Sequence, residues 1–505
     1  MKNGYILAID QGTTGSTVLI INHTFEICGR AQLEFTQYYP KPGWVEHDPQ
    51  ELWTVTMMVV KSALQDAGIS PSEILGIGIT NQRETSLLWQ KSTGQPLTRA
   101  IVWQDRRTAS FCDQLKHEGL EPVWQKKTGL LIDPYFSGTK VHWMLDNLST
   151  QNISIPLEDI AFGTIDSWLV WNLTGGKNHV TDYSNASRTL LYNIHNLDWD
   201  EEILLRLEIP RAILPEVKPS SCIFGETDPD VFYGCKIPIG GIAGDQQAAL
   251  FGHTCYQKGL AKNTYGTGSF LLMHTGDKPV ISKNRLLTTI AWSIGSGPVQ
   301  YALEGAIFVT GAAIQWLRDG LGILAEAAES EAMADAVQDN NDVYFVPALT
   351  GLGAPHWDPY ARGLIVGLTR GTTKAHLTRA ALESIAFQTC DIVEAMSRES
   401  GIQLKELRAD GGAVTNKFLM QFQADLLGVP VVVPSITETT ALGAAFFAGL
   451  STGFWNSPDE LAENCQSTLR YEPRMNDLER RRLYQRWHQA LDLSRGWART
   501  EKYNI

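Results

Sequence analysis

Asp10-Gln11-Gly12-Thr13-Thr14 closes the first apolar run of the chain, and Gly244-Asp245-Gln246 closes another 235 residues later. Residues 5–10 read as a short strand that ends on a carboxylate and breaks into a turn of small residues. Residues 18–21 resume a strand, so the segment is a β-turn-β hairpin whose tip offers backbone N–H groups, two hydroxyls and one carboxylate. Small tip residues let a phosphate approach the backbone. A carboxylate there can hold Mg²⁺ through water, because that ion usually keeps much of its hydration shell. Residues 237–243 form a second strand that delivers Asp245. One carboxylate for a metal and one for a hydroxyl proton is the minimum equipment for phosphoryl transfer to a small alcohol.

Three further groups carry chemistry. Asp410-Gly411-Gly412-Ala413 ends a predicted strand (407–410) in a Gly-Gly turn that opens a helix. Bare backbone there suits a flat ring or a phosphate, with Asn416 one turn on as a hydrogen-bonding partner. The plainer reading is a tight strand-to-helix connection. Asn81-Gln82-Arg83-Glu84 follows a predicted strand at 74–80. An adjacent Arg and Glu put a donor fork beside an acceptor pair, which suits a polyol; a surface ion pair is the alternative. Trp103, Tyr135 and Phe270 lie near strand ends or loops and could wall a pocket, or simply fill a core. Competing signatures fail. No G-x-x-x-x-G-K-[ST] occurs, which excludes a P-loop. The G-x-G-x-x-A stretch 320–325 follows a helical pattern rather than a strand, which removes the dinucleotide reading. There is no H-E-x-x-H and no paired-cysteine metal motif.

These groups need a large frame. At 505 residues the chain is too long for one core and predicts two large domains. Hydrophobic content of 43% and 44 glycines fit a turn-rich α/β protein. A net charge of −13 argues against nucleic acid or an anionic membrane as partner. It also requires any phosphate site to be made locally attractive by N–H groups, a few basic residues and a metal. The seven cysteines are scattered, without C-x-x-C, and read as small buried apolar side chains. Met1-Lys2-Asn3-Gly4 leads straight into a strand, which gives the expectation of no signal peptide. No apolar stretch approaches the ~20 residues of a membrane helix. A soluble, cytoplasmic protein is the expectation.

The pattern restarts after 252–259. Residues 263–269 have a Gly/Thr/Ser tip followed by an apolar run, so each half opens with a small-residue hairpin, a weak internal duplication of architecture. Later elements include a strand at 343–346, a long helix at 376–396, a helix carrying Phe418, Phe422 and Leu426, a strand at 429–433 and an Ala/Gly-rich helix at 439–449. Residues 168–171 lie in a helix ending at Gly175-Gly176, and the charged run 479–482 reads as a solvated helix face.

The motifs resemble those of the FGGY carbohydrate kinases. Residues 135–147, and 363–368 through 376–383, match the two family signatures. Residues 39–48, 80–85, 132–137 and 243–252 resemble the branch that phosphorylates glycerol. The likeness runs from residue 5 to about 460 and is weakest near 223–236 and in the tail. It implies an α/β fold of two ribonuclease-H-like domains of the actin/hexokinase superfamily, with the active site in the cleft between them. The division would be 1–252, holding the glycerol site, the phosphate hairpin and the catalytic base, and 253–505, holding ATP. Glycerol would lie against Arg83, Glu84, Trp103, Tyr135, Asp245 and Gln246, covered by Phe270. ATP would use Gly266, Thr267, Gly311, Gln315, Gly412 and Asn416, with Thr13 and Thr14 at its phosphates. Asp10 would sit by Mg²⁺ together with Asp245, and Asp245 would be the general base. Family members are often dimers or tetramers, which makes a homo-oligomer the expectation. Because water competes as acceptor, closure must precede transfer, and 252–260 is the expected hinge.

Two departures stand out. The branch commonly carries Arg after its Thr-Thr-Ser-Ser turn, whereas this chain reads Thr13-Thr14-Gly15-Ser16-Thr17. Either metal and backbone suffice without that charge, or ATP binding or turnover is weaker. In some relatives the segment matching 228–236 is Gly-rich, ends in Arg and binds fructose 1,6-bisphosphate. Here Lys236 remains, but Asp228 and Asp230 would repel the anion. Others carry a His phosphorylated by a phosphocarrier protein, and no His lies between 196 and 252. Neither regulation is expected. The alternatives are a sibling kinase for another polyol or sugar, and a nucleotide-gated regulator that keeps the fold without catalysis. Retention of both Asp10 and Asp245 weighs against the second.

Overall fold

The computed structural model describes residues 4–151, 155–464 and 469–499. Met1–Asn3 and Cys465 lie outside the described residues.

Two large sheets organise the chain. The first contains β1 (Tyr5–Gln11), β2 (Gly15–Ile21), β3 (Ile27–Glu34), β4 (Ile74–Asn81), β5 (Ser221–Glu226) and β6 (Pro238–Gly244), in the order β5-β6-β4-β1-β2-β3. The first three strands form an antiparallel meander, while β1, β4 and β6 run parallel. The second contains β7 (Leu260–Tyr265), β8 (Ser269–Gly276), β9 (Leu287–Trp292), β10 (Gln300–Ile307), β11 (Glu406–Gly411), β12 (Val431–Val433) and β13 (Leu469–Tyr471), in the order β9-β10-β8-β7-β11-β12-β13. It repeats the plan: β7 and β8 open an antiparallel hairpin that continues to β10, and β7, β11 and β12 run parallel. The duplication read from the two hairpins is therefore one of sheet topology. In both sheets the central strands are largely buried on both faces, as parallel strands between layers must be; those of the first sheet are mostly apolar, whereas β7 buries Lys262 and Asn263.

Helices cover the sheets. Helix α1 (Pro49–Ala67) starts at Asp48, whose carboxylate accepts from the N–H groups of Gln50 and Glu51, and ends at Gly68 in the left-handed conformation. Helix α2 (Asp245–Gly252) continues directly from β6. Helix α3 (Lys374–Ser400) is longer than the expected 376–396 at both ends and stops at the left-handed Gly401. Helix α4 (Lys417–Leu427) follows β11, but a 3₁₀ turn (Gly412–Thr415) intervenes where a direct strand-to-helix turn was expected. Helix α5 (Thr439–Ser451) leaves its own sheet and packs on the first one, crossing α2. Glycines make that crossing possible. A Cβ at Gly443 would meet the Ala248 carbonyl oxygen at 1.9 Å, and one at Gly252 would meet that of Thr439 at 2.0 Å. Helix α6 (Asp477–Ser494) exposes Glu479, Arg481 and Arg482 of its charged run, with Arg480 half-buried, while its other face buries Leu483, Trp487 and Leu491 in the second core. The Ile165–Leu173 helix matches the sequence reading, whereas residues 316–320 form a π turn after the short helix Gly311–Gln315.

Each sheet has its own core, and a further cluster joins them. It packs Ala8 and Leu19 of the first sheet with Leu272, Ala291 and Ala302 of the second, around Phe251 of α2 and Phe447 of α5. All six cysteines among the described residues are free.

Candidate active site

Register brings the predicted carboxylates to one edge. Gln11 pairs with Asn81, and Asn81 with Gly244, so β1, β4 and β6 end together. What leaves those ends is Asp10-Gln11 and the phosphate hairpin, Gln82-Arg83-Glu84, and Asp245-Gln246. Ligands of open α/β sheets lie at the carboxyl ends of parallel strands. Burial together with the nearby Asp245 carboxylate pushes Asp10 up to about 7. A cation held by the Asp10 carboxylate would favour its charged form.

Arg83 and Glu84 are buried, so they are not the surface pair that was the alternative. Glu84 takes a left-handed backbone (φ 60°), uncommon for a non-glycine residue, and turns the chain sharply after β4. Lys140 and Ser137 donate to the Glu84 carbonyl at 3.1 Å each, fixing that turn. Arg83 Nε lies 3.2 Å from Asp245 Oδ1. Its two terminal nitrogens point the other way, onto Glu304 at 2.6 and 3.0 Å. Arg188 Nε donates to Glu84 Oε1 at 2.7 Å. Sequence reasoning missed both Glu304 and Arg188. The one available signal for Glu304 is a carboxylate inside an otherwise apolar strand. Burial opposes ionisation of Glu304, but Arg188 and Arg83 outweigh it and hold the carboxyl at about 2.

Trp103 and Tyr135 meet edge to face with ring centroids 5.5 Å apart, and the Trp103 indole donates to Thr13 Oγ1 at 3.0 Å. The wall aromatics and the phosphate hairpin are thus one unit. Behind the hairpin, Gln37 donates to the Thr13 carbonyl at 3.1 Å and is held by His47 Nε2 at 2.8 Å, while Gln82 donates to the Gly12 carbonyl at 3.0 Å. Thr14 is exposed at the tip. Phe270 is half-buried on β8 of the other sheet; among the described residues it makes no ring contact with Trp103 or Tyr135.

The second sheet repeats the arrangement. Tyr265 pairs with Gly411, so β7 and β11 end side by side. Gly411 has φ 90°, and a Cβ there would strike the Tyr265 carbonyl oxygen at 2.3 Å, so only glycine fits. Gly412 is open, with nothing within 4 Å of a Cβ. The Gly311 N–H donates to Gly266 and the Ala312 N–H to Thr267, both at 3.1 Å. Gly266, Thr267, Gly311 and Gly412 therefore share one rim. Asn416 caps α4, accepting from the Leu419 N–H at 2.9 Å and donating to Ser330. Gln315 is exposed at the end of its short helix.

A buried lysine, also missed, lies between the two groups. Lys262 donates to Gln246 Oε1 and, at 3.0 Å, to Thr264 Oγ1. Burial lowers it to about 8 against the pull of Asp410 and Asp245. Asp410 in turn accepts from His253 at 2.9 Å and from Thr439.

Comparison with known proteins places this geometry. The model of the FGGY family of carbohydrate kinases, N-terminal domain, matches residues 5–252, and that of the C-terminal domain matches residues 261–452. The chain belongs to the FGGY family of carbohydrate kinases. It is 58% identical to glycerol kinase 2 of Thermotoga maritima over 98% of this chain and 99% of that one. It is 59% identical to a glycerol kinase of Petrotoga mobilis, with the same coverage. A crystal structure of Plasmodium falciparum glycerol kinase with ADP superposes with a TM-score of 0.92 at 37% identity, covering 97% of this chain and 98% of that one. The two-domain FGGY kinase fold, related to actin and hexokinase, is thereby the fold of this chain.

Proposed function

We propose that this protein transfers the terminal phosphoryl group of ATP to a primary hydroxyl of glycerol, giving sn-glycerol 3-phosphate. The observation that carries this reading is the convergence of Asp10, Arg83-Glu84 and Asp245 at one strand edge, beside the Trp103–Tyr135 wall. Near full-length identity of 58–59% to glycerol kinases supports the choice of acceptor within the family.

In this reading Glu84 accepts from glycerol hydroxyls, Arg83 donates to them, and Gln246 adds a polar contact. The carbon backbone rests on Trp103 and Tyr135, with Phe270 approaching from the other sheet. Asp245, about one-third exposed and fixed by Arg83, takes the proton from the attacking hydroxyl. Thr13, Thr14 and the backbone of the first hairpin hold the terminal phosphate. Gly266, Thr267, Gly311 and Gly412 hold the rest of the nucleotide, with Gln315 and Asn416 on its flank. Mg²⁺ would be held by Asp10 with Asp245, mostly through water, as that ion usually keeps much of its hydration shell. When bound it neutralises charge on the phosphate oxygens. No described helix is long and apolar enough to cross a membrane. We place the reaction in the cytoplasm, and the enzyme in a homo-oligomer.

The test is ADP release by purified protein with Mg-ATP and a panel of glycerol, dihydroxyacetone, erythritol, xylulose and gluconate. Glycerol-dependent turnover is expected, falling by about 10²–10⁴ in Asp245→Asn, the usual weight of a general base. Turnover on another member of the panel in place of glycerol would overturn the substrate assignment.

A further inference from the structure

The substrate clamp of this enzyme is completed across the domain boundary. Arg83 and Glu84 follow β4 of the first sheet, and Arg188 belongs to the same half. Glu304 belongs to β10 of the second sheet, where it stands opposite Leu272 of β8 and Leu287 of β9. Lys262 on β7 also stands opposite Leu272, so Glu304 and Lys262 share the sheet face turned to the first domain. The four charges form a closed ring. Arg83 forks onto both oxygens of Glu304, at 2.6 and 3.0 Å. Arg188 Nη2 donates to Glu304 Oε1 at 3.0 Å and its Nε to Glu84 Oε1 at 2.7 Å. Glu84 Oε1 lies 3.8 Å from Arg83 Nε. Each of the four side chains is at most 2% exposed, and the ring is neutral overall.

Stability alone does not account for such a ring. Desolvating four charges is expensive, and well-packed apolar side chains of similar volume often serve a fold as well or better. Arg188 also leaves Nη1 buried without a hydrogen-bond partner, a cost that a purely structural network has no reason to keep. What the ring does is aim. With both terminal nitrogens of Arg83 engaged by Glu304, and Gln247 Oε1 accepting from Nη1 at 3.2 Å, the guanidinium cannot rotate. Its Nε then faces Asp245 at 3.2 Å. With Glu84 Oε1 held by Arg188, the second oxygen of that carboxylate has a fixed direction.

We propose that Glu304 and Arg188 are positioning residues for the acceptor alcohol. Glu304, carried by the nucleotide-side sheet, locks Arg83 toward Asp245, and Arg188 locks Glu84, so the clamp is correctly set only when the two sheets are in register. This rests on the reading of Arg83, Glu84 and Asp245 as the acceptor site. Among the described residues, the hydrogen bonds and ion pairs of Glu304 and Arg188 go to Arg83, Glu84 and each other and none to the glycine rim at 266, 311 and 412, so the effect is expected at the acceptor and not at the nucleotide.

The experiment uses the full-length protein and the acceptor that the wild type turns over, so that a wrong acceptor assignment shows in the wild type and a wrong positioning role shows in the variants. Initial rates give KM for acceptor and for ATP separately, and thermal melting reports the folded state. Glu304→Gln keeps the shape and removes the charge. Its KM for the acceptor is expected to rise at least about 30-fold, the weight of losing one partner of a buried charge pair, with KM for ATP within about twofold. Glu304→Asp, which retains the charge, is expected to recover part of that loss. An acceptor KM unchanged in a folded Glu304→Gln overturns the proposal, and so does a parallel rise of both KM values. Should Glu304→Gln fail to fold, Arg188→Lys decides. It keeps the positive charge but cannot fork between Glu84 and Glu304, and a wild-type acceptor KM in that variant overturns the proposal equally.

Discussion

Alanine at Gly443 sets local propensity against packing. On an isolated helix, Gly→Ala in the interior stabilises by about 1 kcal/mol. In α5 the added Cβ would sit 1.9 Å from the Ala248 carbonyl oxygen, against the 3.4 Å at which ordinary contact begins. The crossing helices must separate by about 1.5 Å, and neither wall can yield cheaply, because the obstacle is backbone in a close-packed interior. Overpacking of this kind costs ~1–3 kcal/mol, which for domains of this size lowers Tm by about 3–10 °C. Ala248 lies one turn from Asp245 on α2, so the displaced helix carries the proposed base with it. A misplacement of ~1 Å at reacting groups can cost about 10²-fold in rate. The assay is thermal melting together with kcat on glycerol. The control is Gly371→Ala, whose Cβ would meet only Thr369 Oγ1 at 3.8 Å. Gly443→Ala with an unchanged or raised Tm and wild-type kcat would refute the argument that this crossing sets the position of Asp245.

Three other outcomes follow from the same geometry. His47 and His179 are both held down to about 4 by burial, so their neutral forms contribute stability that is full above pH ~6.5 and is lost as pH falls toward 4. Each is worth about 1 kcal/mol by pH 5.5, and His47→Gln should flatten the fall of Tm between pH 6.5 and 5; a slope equal to wild type counts against it. Asp166, pushed up to about 7 by burial, acts in the opposite sense, losing its contribution as pH rises from about 4 to 7, so the difference in slope is the readout rather than the slope itself. Thr17, half-buried opposite Asp10 on β2, is expected to tolerate arginine with kcat and KM for ATP within about fivefold, the weight of one partly exposed ion pair. A larger gain in either parameter would show that the phosphate hairpin lacks a charge it needs. Residues 252–260, where Thr254 is left-handed and Arg408 reaches the His253 carbonyl, should slow in hydrogen exchange when Mg-ATP analogue and glycerol bind together; exchange indifferent to both ligands removes them as a hinge.

Much of the frame was legible because strand ends announce themselves. The apolar runs before Asp10, Asn81 and Asp245 each terminate on small or polar residues, and the parallel register then brings them to one edge without further information. The Gly-rich tips at 266–268 and 411–412 were legible for the same reason, since close backbone approach leaves a compositional trace. Phe270 stands out only as an aromatic near a strand end, and among the described residues it makes no ring contact with Trp103 or Tyr135. Gln315 carries no trace of its own, and only the family resemblance singles it out. The α5 excursion onto the first sheet is not readable either. An Ala/Gly-rich helix says that it packs closely, and nothing in it says against what.

Glu304, Arg188 and Lys262 stayed hidden for a different physical reason. A lone charge reads as a solvated position, because its partners are invisible at the level of local pattern. Arg83 and Glu304 are 221 residues apart, and Arg188 and Glu84 are 104. Each hidden charge is buried, and each meets a residue that the strand ends did reveal: Glu304 meets Arg83, Arg188 meets Glu84 and Lys262 meets Gln246. The division is systematic. Groups that face a ligand sit at element ends, where backbone geometry forces recognisable residue types. Of the groups that hold them in place, Glu304 and Lys262 sit inside strands and Arg188 in a turn, where any residue with a satisfied partner is permitted. Two of the three supports, Glu304 and Lys262, come from the second sheet and hold residues of the first. If the proposed acceptor site is right, its contacts depend on the sheet that carries the proposed nucleotide rim, so the site would sense domain register, which is the property that exclusion of water as a competing acceptor demands.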